Sequence, residues 1–271
     1  MNYNFNKVLV TGGAGCIGMS VCSELRARGV DVVLFDLFEQ INVAKDRIND
    51  KINIYYGSIL DESSLREAIK GCDAVIHLAA YLGVRRTEEN SLRCLDININ
   101  GTKNVLDTAI KAGIKKIIFA SSSEVYGEPL ENPICEDAIT QGKTVYAISK
   151  LAGEELVKSY HKEFRSIDYT ILRYFNTYGP HQIAQFVIPK FIRNVMNDKQ
   201  PIIYGDGKQE RSYNYSEDTA IGSVDALFSK KADNTVLNIG NSKSLITLKQ
   251  LGELVIKVCG KQDRLKIKIK N

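Results

Sequence analysis

A tyrosine and a lysine four positions apart, Tyr146 and Lys150, form the residue pair with the clearest chemical use in this sequence. On a helix this spacing puts a phenol and an ammonium on one face, one turn apart. A nearby cation lowers the pKa of the phenol, which can then take a proton from a substrate hydroxyl. The same spacing is also typical of an exposed helix whose lysine extends into solvent. The upstream segment SSSEVYG (121–127) favours the chemical interpretation, because strand ends present catalytic groups in parallel sheets.

A glycine-rich segment near the start, KVLVTGGAGCIG (7–18), joins a predicted strand to a predicted helix. Glycine permits the tight turn and lets a pyrophosphate approach the backbone N–H groups at the helix start. The next predicted strand ends in Asp36, whose carboxylate can bind the adenosine ribose hydroxyls and would repel a 2′-phosphate. The pattern predicts a dinucleotide site and favours NAD over NADP. The alternative is a tight turn followed by a surface carboxylate.

The elements that must position these motifs alternate along the chain as far as Phe175, with short apolar runs between amphipathic stretches. This alternation is typical of repeated βαβ units. The predicted fold class is therefore α/β, a Rossmann-type doubly wound parallel sheet with its binding crevice at the carboxyl ends of the strands. The predicted strands are 7–11, 31–36, 52–57, 74–78, 116–121 and 169–173. The predicted helices are 17–28, 63–70, 92–112 and 146–164.

The amino-acid composition argues against several classes of protein, among them membrane, exported and nucleic-acid-binding proteins. Hydrophobic residues make up 44% of the 271 residues, and no apolar run approaches the ~18 residues of a membrane span. The first residues lack the features of an export signal, and six scattered cysteines suggest neither a disulfide framework nor a metal site. A cytoplasmic protein is expected. The net charge of +4 is spread along the chain apart from a lysine-rich end, so neither nucleic acid nor membrane is predicted as a partner.

Six sequence blocks together resemble one family. They are TGGAGCIG (11–18), HLAA (77–80), SSSEVYG (121–127), YAISK (146–150), LRYFNTYGP (172–180) and YGDGKQERSY (204–213). In this order and spacing they are similar to the extended short-chain dehydrogenase/reductases that act on nucleotide sugars. The resemblance implies an NAD-dependent enzyme whose substrate is a nucleotide-diphosphate sugar, UDP-linked by expectation, that is oxidised transiently to a 4-keto sugar.

The resemblance also implies roles for individual residues. Tyr146 would be the catalytic base, Lys150 would hold the nicotinamide ribose, and Ser122 would share the proton path. Asn176 and Arg211 would bind the diphosphate, although a turn cap and a surface ion pair are alternatives. The implied cofactor-binding residues are Gly12, Gly15, Cys16, Ile17, Gly18, Asp36, Ser58, Ile59, Leu78, Ala79, Ala80, Asn98, Lys150 and Tyr174. The implied substrate-binding residues are Ser123, Asn176, Val187, Lys190, Tyr204 and Arg211.

The step that follows oxidation depends on Glu124. An epimerase needs little beyond Tyr146, Lys150 and Ser122, whereas a 4,6-dehydratase or a UDP-glucuronate decarboxylase needs a further acid/base group. Glu124 resembles the glutamate of those enzymes, and a capping or ion-paired carboxylate is the alternative. We expect a UDP-sugar 4-epimerase. Elimination is favoured almost as much as epimerisation, and decarboxylation is favoured less than either. A reductase that consumes NADH and a non-catalytic NAD-binding regulator are the remaining hypotheses.

The change of pattern after Gly179 predicts two parts: an NAD-binding domain over 1–178 and a smaller C-terminal substrate-binding lobe over 179–271. By resemblance, the lobe partly returns to the first domain, and helices 92–112 and 146–164 could form a homodimer interface. A single-domain core explains the same apolar stripes. The Tyr81–Asn90 loop contains Arg85 and Arg86, which would be solvated or reach a substrate carboxylate. Family members commonly extend past the equivalent of Asn271, so a shortened lobe or a truncated chain is expected.

Overall fold

The computed structural model describes residues 2–183 and 185–270. Thirteen strands are found in this part of the chain: β1 Lys7–Thr11, β2 Asp31–Asp36, β3 Asn53–Tyr56, β4 Ala74–His77, β5 Lys116–Ser122, β6 Asp168–Tyr174, β7 Thr177–Tyr178, β8 Ile202–Tyr204, β9 Glu210–Ser212, β10 Asn214–Tyr215, β11 Thr235–Ile239, β12 Leu245–Thr247 and β13 Lys268–Lys270. Ten α-helices are found there: α1 Cys16–Ala27, α2 Phe38–Ala44, α3 Glu62–Ala68, α4 Val84–Glu89, α5 Ser91–Leu95, α6 Gly101–Lys111, α7 Val145–Phe164, α8 Val187–Met196, α9 Ser216–Phe228 and α10 Leu248–Val258.

Seven parallel strands form the central sheet in the order β11-β6-β5-β4-β1-β2-β3. The order reverses between β1 and β4, which is the point where a doubly wound sheet opens a crevice at its carboxyl edge. The five inner strands are apolar and largely buried on both faces, as parallel strands covered by helices must be, whereas the edge strands β3 and β11 are partly exposed. The predicted fold class, a Rossmann-type sheet, is confirmed.

The sheet separates two cores. One packs α1 and α9 against one face, with buried residues such as Val21 and Val224. The other packs α3, α6 and α7 against the opposite face, around residues such as Leu106 and Phe119. Burying such aliphatic and aromatic side chains contributes about 1.5–3 kcal/mol each. The two layers of helices therefore hold the strand ends in fixed positions.

The C-terminal region contains a third core formed by Phe191, Val195, Ile203, Leu251, Val255 and Ile256. It joins α8 and α10 to the strand pair β8–β13. Helix α10 begins with a capping box in which Thr247 and Gln250 satisfy each other's backbone N–H groups. The C-terminal region therefore has a hydrophobic core of its own. Some of its residues line the crevice at the carboxyl edge of the sheet.

The predicted strands match β1 to β6 with shifts of one residue at several ends. Strand β11 was not predicted, although it pairs along all of its length with β6. The predicted helix 92–112 is α5 and α6 joined by a π-helical segment, Asp96–Asn100. Beyond residue 179, α9 packs on the central sheet and β11 pairs with β6. Asn271 lies outside the described residues.

Candidate active site

A crevice of about 740 Å³ runs along the carboxyl ends of the strands and under the C-terminal lobe. The strand β1 turn and the start of α1 line one end of it, and the end of β5 and the start of α7 line the middle. The lobe contributes Val187 and Arg211 to the far wall. The topology therefore brings together groups that are far apart in the sequence, at the position that the fold predicts for a ligand.

The glycine turn fits a dinucleotide phosphate by geometry. Gly12 has a φ of +70°, and a Cβ there would lie 2.7 Å from the backbone nitrogen of Ala79. A Cβ on Gly18 would lie 2.2 Å from the carbonyl oxygen of Gly12. Gly15 is the N-cap of α1 and has no side chain to occupy the helix N-terminus. The turn thus exposes backbone N–H groups and the positive end of α1, where a pyrophosphate binds favourably.

Asp36 ends β2 beside this turn and is held by two backbone groups. Its Oδ2 accepts from the N–H of Ala14 at 3.0 Å, and its Oδ1 accepts from that of Leu37 at 2.8 Å. Burial raises the pKa of the carboxyl, and the two backbone hydrogen bonds oppose that rise. Each carboxylate oxygen keeps a lone pair for a ribose hydroxyl. The site therefore fits NAD and disfavours a 2′-phosphate.

Ser122, Tyr146 and Lys150 meet at the middle of the crevice. Ser122 Oγ accepts the backbone N–H of Glu124 at 3.2 Å, and its hydroxyl lies near enough to the Tyr146 phenol to lower the pKa of that group. Lys150 Nζ donates to the carbonyl oxygen of Ala120 at 2.8 Å and lies 5.7 Å from the Tyr146 ring centroid. The phenol, the hydroxyl and the ammonium thus form one group at the end of β5.

The expected lowering of the Tyr146 pKa is not found in the protein alone. Burial raises this pKa, and the nearby Glu124 carboxylate and Cys94 raise it further, while only the Ser122 hydrogen bond lowers it. Burial also lowers the pKa of Lys150 to about 8, against smaller opposite effects from Cys94 and Glu154. Desolvation is the largest effect on the pKa of both groups. The reactive state of the tyrosine therefore requires positive charge brought next to the ring.

Glu124 stands at the same wall, and its carboxylate lies among protein atoms although the residue keeps exposed surface. Thr144, the N-cap of α7, donates to Glu124 Oε2 at 3.3 Å. Burial raises the Glu124 pKa, as does the charge of Glu88. Among the described residues no lysine, arginine or histidine nitrogen lies within 4.0 Å of this carboxylate. A carboxyl with a raised pKa facing the crevice can act as an acid.

A buried network of hydrogen bonds and one ion pair holds these strand ends in position. Arg173 on β6 binds both carboxylate oxygens of Glu154, at 3.0 and 2.8 Å, and Ser121 Oγ donates to the same carboxylate at 2.5 Å. Arg173 also donates to Tyr126, whose hydroxyl donates to Asn238 on β11. Because each charge is paired and hydrogen-bonded, the network fixes β5, β6 and α7 relative to one another.

On the lobe side, Asn176 and Arg211 both line the crevice. The Asn176 amide donates to the carbonyl oxygen of Ser212 at 3.2 Å, and Arg211 Nη1 donates to that of Glu210 at 2.8 Å. Within residues 2–183 and 185–270, Arg211 has no carboxylate within 4.0 Å, so it is not part of an ion pair there. Most of its donors face the crevice and are available to phosphate oxygens.

The predicted site residues largely gather in this crevice. Those that line it are Gly12, Gly15, Cys16, Ile17, Gly18, Asp36, Ser58, Ile59, Leu78, Ala79, Ala80, Ser122, Ser123, Glu124, Tyr146, Lys150, Tyr174, Asn176, Val187 and Arg211. Three others are not among the lining residues. Asn98 is 2% exposed behind the wall, and Lys190 packs its ammonium over the ring of Tyr204 at 6.0 Å, on the lobe.

Several lining residues were not predicted. Arg47, just after α2, contacts the ring Nδ1 of His181, which lies in the loop after β7. Arg86 and Arg93 line the crevice around the ring of Tyr81. Arg86 was considered with Arg85, but no pattern distinguished the two. Their roles depend on contacts between segments that are separate in the sequence, so spacing alone could not reveal them.

Within ranges 2–183 and 185–270, no set of three or more His, Cys, Asp or Glu side chains is arranged to hold a metal ion. In the same ranges, none of the helices combines the length and apolar character needed to cross a membrane.

Comparison with known proteins places this crevice in a known context. Residues 8–240 match the NAD dependent epimerase/dehydratase family. The chain is 39% identical over 245 residues to a UDP-N-acetyl-alpha-D-glucosaminuronate decarboxylase of Bacillus cytotoxicus, which covers 87% of this chain and 75% of that one. It is 40% identical over 242 residues to a putative UDP-glucose 4-epimerase of Methanocaldococcus jannaschii, covering 87% and 77%.

A solved structure is similar along almost the whole chain. The UDP-glucose 4-epimerase of Thermotoga maritima, crystallised with UDP-glucose, superposes with a TM-score of 0.88 at 31% identity. The match covers 97% of this chain and 85% of that one. The agreement extends through the lobe as well as the sheet.

Proposed function

Because this chain belongs to the NAD-dependent epimerase/dehydratase family, we propose that it is a UDP-sugar 4-epimerase that works through a transient 4-keto sugar. The observation that carries the proposal is the meeting of Ser122, Tyr146 and Lys150 on the crevice that also contains the glycine turn. When bound, NAD supplies a hydride acceptor that takes the hydrogen from C4 of the sugar and can return it.

The protein's own residues then move the proton. Tyr146 takes the single C4 hydroxyl proton as the carbonyl forms, with Ser122 on the proton path, and Tyr146 returns that proton when the sugar is reduced on its other face. The ammonium of Lys150 supplies part of the positive charge that the buried phenol needs. The role proposed for Lys150 beyond this is to bind the nicotinamide ribose, since two of its three N–H donors are not used by Ala120.

The lobe holds the rest of the substrate in this proposal. Arg211 and Asn176 would bind the diphosphate, which leaves the sugar at the end of β5. Val187 and Ser123 line the same space and would contact the substrate. Lys190 and Tyr204 lie on the lobe outside this lining and would reach a ligand only by moving. Binding through the diphosphate lets the sugar turn, which epimerisation requires.

Glu124 supports a second candidate, a nucleotide-sugar 4,6-dehydratase or a UDP-glucuronate decarboxylase. Its raised pKa and its position beside Thr144 suit an additional acid at the sugar. One experiment separates these outcomes: incubation with NAD and a panel of UDP- and dTDP-sugars, followed by product mass. A product of unchanged mass that separates from the starting sugar on chromatography supports epimerisation, a loss of water supports dehydration, and a loss of carbon dioxide supports decarboxylation. Unaltered sugars throughout would contradict the proposal.

The Glu124→Gln variant sharpens that result. Elimination should fall by about a hundredfold because the acid is lost, whereas epimerisation should stay within about tenfold. Glu128→Gln is the matched control, since Glu128 is exposed and pairs with Lys143 at 2.8 Å. Equal losses in both variants would contradict a role for Glu124 in the reaction.

A cytoplasmic homodimer completes the proposal. Leu92 is 84% exposed and Ile148 is 50% exposed, on the α5 and α7 helices that would pair with a second copy. The six cysteines are free thiols, as in a reducing compartment. Light scattering of the purified protein should give twice the chain mass of 30.2 kDa, and Leu92→Glu should give the monomer.

A further inference from the structure

Two arginines share one aromatic ring on the wall of the crevice. The Cζ of Arg86 lies 4.3 Å from the ring centroid of Tyr81, and that of Arg93 lies 5.5 Å from the same centroid. All three residues line the crevice. Guanidinium groups over a tyrosine face are held by cation–π attraction, which keeps their planes in place. Arg86 and Arg93 are called the arginine pair below.

The ring itself is fixed by a buried amide. Asn98 Oδ1 accepts the backbone N–H of Tyr81 at 2.7 Å, and Asn98 Nδ2 donates to the carbonyl oxygen of Tyr81 at 3.0 Å. The same Nδ2 donates to Ser149 Oγ, one residue before Lys150, at 2.9 Å. Asn98 therefore positions Tyr81 relative to the catalytic helix. The Tyr81 ring that contacts the arginine pair is therefore fixed in position relative to α7.

The charge of the arginine pair is not neutralised by the protein. In ranges 2–183 and 185–270, no carboxylate oxygen lies within 4.0 Å of either guanidinium. The neighbouring Arg85 differs, because it pairs with Glu89 at 2.6 Å, is 90% exposed and is not a lining residue. Glu88 is also engaged elsewhere, since its Oε1 accepts the backbone N–H of Val145 at 3.3 Å. Two cations facing a shared cavity attract an anion.

The position of the arginine pair points to the sugar rather than the diphosphate. The Glu88 contact attaches α4 to the residue directly before Tyr146. The arginine pair thus stands on α4 and α5, which pack against the helix α7 that carries Tyr146 and Lys150, while Arg211 lines the crevice from β9 of the C-terminal region. A sugar with its C4 hydroxyl at Tyr146 would present its neighbouring substituents to α4 and α5.

We propose that Arg86 and Arg93 recognise a carboxylate on the sugar ring, so that the preferred substrate is a nucleotide-linked uronic acid. This inference rests on the proposed function, because it assumes a sugar at Tyr146. Planar guanidinium groups match a carboxylate with paired hydrogen bonds, which a hydroxymethyl group cannot replace. The arginine pair therefore determines which substrate binds and takes no part in proton transfer.

The test compares two substrates that differ only in this group. Binding of UDP-glucuronate and of UDP-glucose to the NAD-loaded protein is measured by calorimetry, at fixed ionic strength. We expect the protein to bind the uronate at least about tenfold more tightly, the ratio that one charge-assisted contact gives. Arg86→Gln and Arg93→Gln should each lower this ratio about tenfold, with UDP-glucose affinity unchanged. Arg85→Gln is the matched control and should leave the ratio unchanged.

Two results would overturn the inference. The wild-type protein could bind both sugars equally, or the Arg86 and Arg93 variants could weaken both sugars and UDP alone by the same factor, which would place the arginine pair on the phosphates. Neither result depends on turnover. The proposed function is tested separately by product formation from any nucleotide sugar. An epimerase that prefers neutral sugars would contradict the inference about the arginine pair but would agree with the proposed function.

Discussion

Two buried lysines mark opposite ends of strand β5 and have opposite surroundings. Lys116 begins the strand and is fully buried, and its Nζ donates to Asp233 Oδ1 at 2.6 Å and to the carbonyl oxygens of Ala226 and Ser229 at 2.8 and 2.9 Å. Lys150 is 4% exposed near the other end, and its hydrogen bond within the described residues goes to Ala120.

The difference shows which end of the sheet is structural and which is chemical. Burial lowers the pKa of both lysines, but at Lys116 the carboxylate of Asp233 opposes that effect. Lys116 uses all three N–H donors to tie β5 to the end of α9. Lys150 is buried without a carboxylate partner among the described residues, so the desolvation of its ammonium is not offset by an ion pair. Two of its N–H donors are available to a ligand. An incompletely paired ammonium in a crevice is the feature expected of a functional group.

The largest expected effect is at the carboxyl end. Tyr146→Phe should lower kcat by about a thousandfold, or about 4 kcal/mol, because it removes the proton acceptor. NAD affinity and the thermal midpoint should change little. Tyr160→Phe is the matched control on the same helix, since its hydroxyl binds Asp107 at 2.5 Å. Activity kept in the Tyr146 variant would contradict its assignment as the base.

The next effect is at the amino end and is one of stability. Lys116→Met should lower the free energy of unfolding by about 3 kcal/mol, because Asp233 and two carbonyl oxygens lose their donor. Urea unfolding measures the change. The specific activity of the folded fraction should remain near that of the wild type. A selective loss of activity without loss of stability would place Lys116 with the chemical end of the sheet.

A pH series sharpens the comparison further. Burial lowers the pKa of Lys150 in the folded protein to about 8, from the ordinary lysine value of 10.5. Between these values the unfolded lysine binds a proton that the folded one has released, so stability rises with pH. From pH 8 to 9.5 the wild type should gain about 1–2 kcal/mol relative to Lys150→Met. A constant difference, measured by urea unfolding, would show that the Lys150 pKa is not lowered.

The smallest expected effect is on cofactor choice. Asp36→Asn should weaken NAD binding about tenfold, or about 1.4 kcal/mol, and should reduce the discrimination against NADP, because the repulsion of a 2′-phosphate is lost. Fluorescence titration of both dinucleotides measures it. Asp31→Asn, at the exposed start of the same strand, is the control. An unchanged NAD to NADP ratio would contradict the role assigned to Asp36.

Much of the site followed from short-range patterns. The glycine turn, Asp36 at a strand end and the Tyr146–Lys150 spacing are each properties of a few neighbouring residues, and the structure places all of them on one crevice. Asn98 could not be placed in this way. It lies behind the wall because its amide fits the backbone of Tyr81, a contact that no local pattern encodes.

The sequence by itself determined the parallel sheet, the positions of its first six strands along the chain and the chemical groups at their ends, because periodicity and backbone requirements act over a few residues. The tertiary structure alone decided that β11 pairs with β6, that Lys116 is neutralised by Asp233, and that Arg86 rather than Arg85 faces the crevice. Such choices depend on packing between distant segments, where small differences in burial and charge pairing select one arrangement.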